Sequence, residues 1–232
     1  NASANIAKVN VVIEQTKYEL LKSSKPSFMT TMDMIYPNVE EILKQRYEEL
    51  NNRTRWKKGD ARNEFFNNYR DWIEYEAFIL EFLEANSNIA SISTLGTTVQ
   101  GRSIPIITLS TGGDSKPGFY IQAELHAREW LANAATMWIM NQLGEDYQEG
   151  DETVVNILNN VNIFIVPTVN IDGYIYAWTT SRMWRKNRRN NGGGSFGVDL
   201  NRNYQVNPPS GNPTFTFCGT GASSNPNSDT YC

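Results

Sequence analysis

The 232-residue chain reads as an α/β protein preceded by a smaller α+β unit. Three observations carry that reading. From about residue 69 onward, short apolar runs alternate with longer amphipathic stretches, the rhythm of an α/β domain. Ahead of it, two helical patterns flank one loosely alternating segment. Between the two regions, Arg53, Arg55, Lys57, Lys58 and Arg62 crowd into ten residues beside a glycine, which marks a boundary. A hydrophobic content of 40% is ample for a buried core. The net charge of −4 comes with scattered basic residues and no basic stripe, which argues against nucleic acid as a partner. No apolar run approaches the ~18–20 residues a bilayer span needs.

The first segment, "ANIAKVNVVIEQTKYELLKSS", places Ile6, Val9, Ile13, Tyr18 and Leu21 at helical spacing. "FMTTMDMIY" alternates loosely like a strand. "PNVEEILKQRYEELNN" predicts a second helix, with Pro37 suited to its start and Glu40 and Glu41 in its first turn. This unit looks incomplete, because one strand cannot form a sheet. The basic cluster that follows is a solvated linker, open to a trypsin-like protease.

Beyond it, "YRDWIEYEAFILEFLEAN" is an amphipathic helix. "ASISTLGTT" and "SIPIITLST" are strands joined across "VQGR" as a hairpin, and the nearly apolar "PGFYIQAEL" predicts a central strand. "WLANAATMWIMNQLG" is a helix with Gly144 as its stop signal, "VVNILNN" a short helix, and "VNIFIVPTVN" a further buried strand. Trp130, Trp178 and Trp184 read as core or wall packing. The tail from Val206 is rich in Pro, Gly, Ser and Asn and predicts loop. Cys218 and Cys232 fit either free thiols or a bridge. Acceptor patterns for N-glycosylation at Asn1 and Asn52, with the cysteine pair, lean towards secretion.

The chemistry centres on "ELHAREW", which holds the chain's one histidine. His126 and Glu129 fall where a predicted strand leaves the sheet and a helix begins, the place where open α/β sheets bind ligands. Spacing of i and i+3 puts both on one face of a helical turn, and imidazole and carboxylate are zinc ligands. Alone, such a pair is more often a simple hydrogen bond.

"HAREW", then "NIDGY", "SRMWRKNRR" and "GVDLNRNY", in that order, resemble the zinc metallocarboxypeptidases of the pancreatic A/B type. The resemblance runs from about Glu64 to Tyr204 and extends to "GRSIPIITLSTG" and "SSNPNSDTYC". It implies a mixed, mostly parallel central sheet with helices on both faces, of which only the N-terminal part is present here. Residues 1–62 resemble part of the family's activation peptide with its basic linker, and 63–232 the start of the catalytic domain. His126 and Glu129 correspond to two of three ligands of a catalytic Zn2+. Arg185 corresponds to the arginine that stabilises the oxyanion, a task for a fixed positive charge. Asn201 and Arg202 correspond to the clamp for the substrate's terminal carboxylate, which a guanidinium fork holds bidentately. Arg128 and Arg182 correspond to residues lining the approach. Cys218 and Cys232 are the implied disulfide, although the family's first cysteine usually precedes the "NRN" motif, where Phe196 stands.

The resemblance implies a secreted, monomeric zymogen that acts on peptides and proteins with a free C-terminus after cutting by a trypsin-like protease. The family's third ligand, general base and specificity pocket all lie further along than this sequence reaches. The chain as given is therefore expected to be inactive and to leave an unpaired sheet edge and an uncovered face. One alternative is a metal-free relative that binds peptide C-termini without cutting. Another is a non-functional product of a broken gene.

Overall fold

The computed structural model describes residues 13–24, 27, 29, 31–34, 38–113, 115–203, 218 and 221–232. Two compact units emerge, Asn1–Asn52 and Arg53–Cys232. The first contains helices α1 (Gln15–Ser23) and α2 (Val39–Asn52). Asn38 precedes α2, its side chain accepting from the Glu41 N–H at 3.2 Å. Pro37 lies outside the described residues, as do Asn1 and the start of the first predicted helix. Met29 and residues 31–34 of the predicted strand are described, and none of them is in a strand. The second unit opens with α3 (Arg62–Phe65) and α4 (Trp72–Ala85). Asp71 caps α4 in a reciprocal box with Glu74.

Strands β1 (Ala90–Thr97), β2 (Ser103–Leu109), β3 (Gly118–Gln122) and β4 (Asn162–Val166) form one mixed sheet in the order β1-β2-β4-β3. The mixed α/β class stands, but parallel pairing is not the majority among the described strands. β1–β2 and β2–β4 are antiparallel, and β3–β4 alone is parallel. The short turn between β1 and β2 forces the first pairing. β3 is also not central. Among the described strands it lies at one edge of the sheet, with Phe119 and Tyr120 exposed. The face carrying Ile107, Leu109, Ile163 and Ile165 is buried, whereas Thr108 and Phe164 on the other face are half-buried.

Helices α5 (Leu131–Glu149) and α6 (Glu152–Asn160) connect β3 to β4. α5 runs through Gly144 and stops at Gly150, which adopts the left-handed conformation. Gly144 has a packing role instead: a Cβ there would stand 2.6 Å from Phe82 of α4. The sequence reading missed α7 (Ile171–Thr179), whose cap Asn170 accepts from Gly173 N–H at 3.1 Å. A small hairpin of β5 (Asn190–Gly192) and β6 (Ser195–Phe196) precedes a 3-10 turn at Leu200–Arg202. The core is aromatic. Phe65 stacks on Phe78 at 4.0 Å and Trp130 on Trp178 at 4.2 Å. Burying each such ring contributes roughly 1.5–3 kcal/mol.

The predicted loop from 206 to 217 lies outside the described residues; the described part, 218 and 221–232, holds no helix or strand beyond one bridge between Ser223 and Tyr231, and it is fastened. Tyr231 carbonyl accepts from Asp199 N–H at 2.7 Å, and Pro226 carbonyl accepts from Lys186 Nζ at 2.9 Å. Cys218 and Cys232 are joined in a disulfide, with Cα atoms 5.7 Å apart.

Candidate active site

β3 ends at Gln122, and the chain then turns sharply through Glu124, a glutamate at φ 57°. Asn170 fixes this exit: its N–H donates to Glu124 carbonyl, and its side-chain amide donates to Leu125 and Lys186 carbonyls. The turn that follows is closed by Glu129 N–H donating to His126 carbonyl at 3.0 Å. His126 and Glu129 thus share one face, but of a turn ahead of α5 and not of the helix itself.

His126 is 7% exposed and held at both nitrogens. Nδ1 lies 3.0 Å from Glu129 Oε1, and Nε2 lies 3.0 Å from Asp199 Oδ1. Asp199, fully buried, accepts on its other oxygen from Arg185 Nε and Nη2, each at 3.1 Å. Burial pushes the Asp199 carboxyl up, but the Arg185 charge and hydrogen bonds, the Asn201 N–H and His126 outweigh it and hold it below the usual range. Arg185 Nη1 also stands 3.6 Å from Glu129 Oε1.

This geometry fits a cation. An ionised Asp199 is an acceptor, so in the neutral imidazole Nε2 carries the proton and Nδ1 presents its lone pair. That lone pair then faces the Glu129 carboxylate at 3.0 Å, two acceptors that need a proton or a metal ion between them. Two donor atoms at ~2.0–2.1 Å from a zinc ion stand about 3.3 Å apart in tetrahedral geometry. A carboxylate behind the ligating histidine is the usual means of fixing its tautomer. Among the described residues, no group of three or more His, Cys, Asp or Glu is arranged to hold a metal.

The other sequence-selected residues fall into two sets. Arg128 donates to Met183 carbonyl and to Asp229, both at 3.1 Å. Arg182 donates to Arg128 carbonyl and lies over the Trp130 ring at 3.6 Å. Both line a cleft of about 550 Å³ beside Glu129, with Tyr69, Trp130 and Leu131. Asn201 and Arg202 sit on the 3-10 turn that Asp199 caps, Asn201 N–H donating to Asp199 at 2.9 Å. The Asn201 side chain is exposed and that of Arg202 half-buried. His126, Glu129, Asp199 and Arg185 therefore form one connected network, with Asn201 joined through its backbone.

Sequence reasoning missed Asp199, Asn170 and Glu124. An aspartate two places before Asn201, at the cap of a turn, was a readable signal for the first. Asn170 stood in the quoted "NIDGY". Glu124 has none. Glu124 is 2% exposed, and neither carboxyl oxygen has a hydrogen-bond partner of ordinary geometry among the described residues.

Comparison with known proteins gives a consistent result. A family model described as zinc carboxypeptidase matches residues 75–232. Carboxypeptidase A2 of Rattus norvegicus is 36% identical over 84% of this chain and 44% of its own length. Carboxypeptidase B of Bos taurus is 37% identical over 72% of this chain and 38% of its own. Among solved structures, thrombin activatable fibrinolysis inhibitor aligns with a TM-score of 0.73 at 25% identity, covering 94% of this chain and 50% of that one. The chain thus spans about half the length of the relatives it matches.

Proposed function

This chain belongs to the zinc carboxypeptidase family, and from that premise we propose that it is part of a secreted precursor of an enzyme that removes single C-terminal residues from peptides and proteins. The observation that carries the proposal is the network Glu129–His126–Asp199–Arg185 at the end of β3. The share of the relatives that is covered supports a longer protein, with 1–62 as activation peptide and linker. One structural relative bears the name thrombin activatable fibrinolysis inhibitor, and that likeness supports a zymogen cut by a trypsin-like protease. No described helix is long and apolar enough to cross a membrane.

In this reading His126 Nδ1 and Glu129 hold the zinc. When bound, the ion supplies a Lewis acid that polarises the scissile carbonyl and acidifies a water. Asp199 keeps the Nε2 proton in place, so the imidazole stays oriented with Nδ1 outward. Arg185, pinned by Asp199, carries a fixed positive charge beside Glu129 and stabilises the oxyanion. Asn201 and Arg202 bind the terminal carboxylate, and Arg128 and Arg182 line the approach for the peptide. His126 and Glu129 alone would hold a zinc ion weakly, because structural and catalytic zinc sites draw on three or four protein ligands.

A second reading, a metal-free module that binds peptide C-termini, is favoured by one fact: the chain has a single histidine. Mass and metal content of the protein purified from its natural source separate the two. The enzyme reading expects a mass above 26.3 kDa, one zinc per chain and residue release from free but not amidated peptides. Binding of free C-termini without zinc or cleavage establishes the second reading instead.

A further inference from the structure

The arginines of the second unit are engaged by acceptors, with two exceptions that stand side by side. Arg185 grips Asp199, and each of the others pairs with a carboxylate or donates to a carbonyl. Arg188 and Arg189 have no side-chain hydrogen bond or ion pair among the described residues. Arg189 is exposed, as a surface arginine without a partner ordinarily is. Arg188 is half-buried, and its setting is different.

Three rings fix it. The Arg188 guanidinium carbon lies 3.6 Å from the centre of the Tyr176 ring, 4.6 Å from that of Trp184 and 4.8 Å from that of Phe196. Tyr176 comes from α7 and Phe196 from β6, so the platform is assembled by the fold. Trp184 meets Tyr176 edge-on at 5.0 Å and donates Nε1–H to Asn187 carbonyl at 3.2 Å. Asn187 in turn exchanges hydrogen bonds with Val198, beside β6. A cation over ring faces is attracted by their π electrons without using an N–H, so the donors of Arg188 remain. None of its nitrogens is among the buried atoms that lack a partner, so those donors reach the surface.

The chemistry of a matching ligand follows. The planar fork of a guanidinium fits a carboxylate bidentately, and a side chain already held in place loses little freedom when it binds. Phe196, 36% exposed, and the half-buried Tyr176 and Trp184 add an apolar flank. Arginine set among tyrosine and tryptophan is the composition of contacts that dominate protein–protein binding. A polyanion is held instead by many cations along a track. The neighbouring Lys186 is 4% exposed and donates to Pro226 carbonyl, so this stretch offers no such track.

We propose that Arg188, on its platform of Tyr176, Trp184 and Phe196, is a docking site for an aspartate or glutamate side chain of a protein or peptide. The site takes a side-chain carboxylate, whereas Asn201 and Arg202 are proposed to take a terminal one. It involves neither zinc nor cleavage, and so goes beyond the peptidase reading.

The test is titration of this chain with an N-acetylated, C-amidated peptide that carries one glutamate between leucine and phenylalanine. Amidation removes the carboxylate that Asn201 and Arg202 would hold. Affinity is read by calorimetry, and the site by the proton–nitrogen NMR signal of Arg188 Nε–H, assigned with Arg188→Lys. Saturable binding is expected, about tenfold weaker when glutamine replaces the peptide's glutamate or in Arg188→Gln. R188K keeps the charge without the fork and is expected to bind as weakly as R188Q. Should R188Q lose native circular dichroism, the two peptides on the unaltered chain make the comparison, read at the Arg188 signal. Equal affinity for both peptides, an unmoved Arg188 signal, or R188K binding as tightly as the unaltered chain overturns the proposal. Binding of dextran sulfate without binding of the peptide does so too. Glutamate-dependent binding in a natural protein without zinc or peptidase activity leaves this inference standing and overturns the functional reading. Zinc and residue release without glutamate-dependent binding do the reverse.

Discussion

Glu74 and Glu124 are buried to the same degree, at 1% and 2% exposure, yet their carboxyls are pushed in opposite directions. For Glu74 burial acts upward, but hydrogen bonds from Arg53, Asp71 N–H and Trp56 N–H outweigh it, and the group is held below the usual carboxylate range. For Glu124 burial also acts upward and the Glu129 charge adds to it. The Arg182 charge and the nearby Asn133 N–H oppose it too weakly, and the carboxyl rises to about 8. Burial alone thus does not set a charge state; the partners do. The site where every partner is present is a clasp, and the site where they are lacking adjoins the candidate metal ligands.

The largest expected effect is at the clasp. Glu74→Ala leaves Arg53 and Arg70 without their carboxylate, and breaking a buried pair this way costs about 3–5 kcal/mol. Urea unfolding at neutral pH measures it. Because the folded-state value is depressed, this stability is present above the unfolded carboxylate range and is lost as pH falls, so the penalty shrinks in acid. A loss under 1 kcal/mol at pH 7 would remove the contrast with Glu124.

The second effect has the opposite sign. Glu124 keeps its proton in the folded state up to about pH 8, while the unfolded chain gives it up near 4.5. The native state is therefore disfavoured progressively between those values, by about 1.4 kcal/mol for each unit of separation, and by a constant amount above them. Glu124→Gln is expected to stabilise the protein more at pH 8 than at pH 4, by comparison of unfolding midpoints. Equal midpoint gains at both would mean that Glu124 finds a partner in solution.

Asp199 tests the middle ground, a buried carboxylate with its partners whose purpose is to hold another group. Asp199→Asn is expected to weaken zinc binding by His126 and Glu129 about 10–100-fold, measured by competition with a chromophoric chelator. Unchanged affinity would separate the histidine from its buried carboxylate.

Much of this was legible from residue order. Apolar periodicity located α4, α5 and each strand of the main sheet, because alternation and helical spacing are properties of the local chain. Motif order located His126, Glu129 and Arg185, since the resemblance is carried by residues that stand together in sequence. The edge position of β3 was not legible, because strand composition reports how apolar a surface is and not what covers it. Gly144 looked like a stop signal, yet its reason lies in Phe82 of another helix, 62 positions away. The basic stretch was read as uniformly solvated, because nothing in its own composition reveals that Glu74 lies beneath it.

The sequence by itself determined the class of fold and the family, and it supplied the side chains proposed for metal and anion binding. Tertiary structure decided which of those charges meet. Asp199 comes to His126 from 73 positions away, and Glu74 to Arg53 from 21. Whether a carboxylate becomes a clasp, a prop behind a ligand or an orphan follows from the donors that folding brings within about 3 Å, a distance that no local pattern encodes.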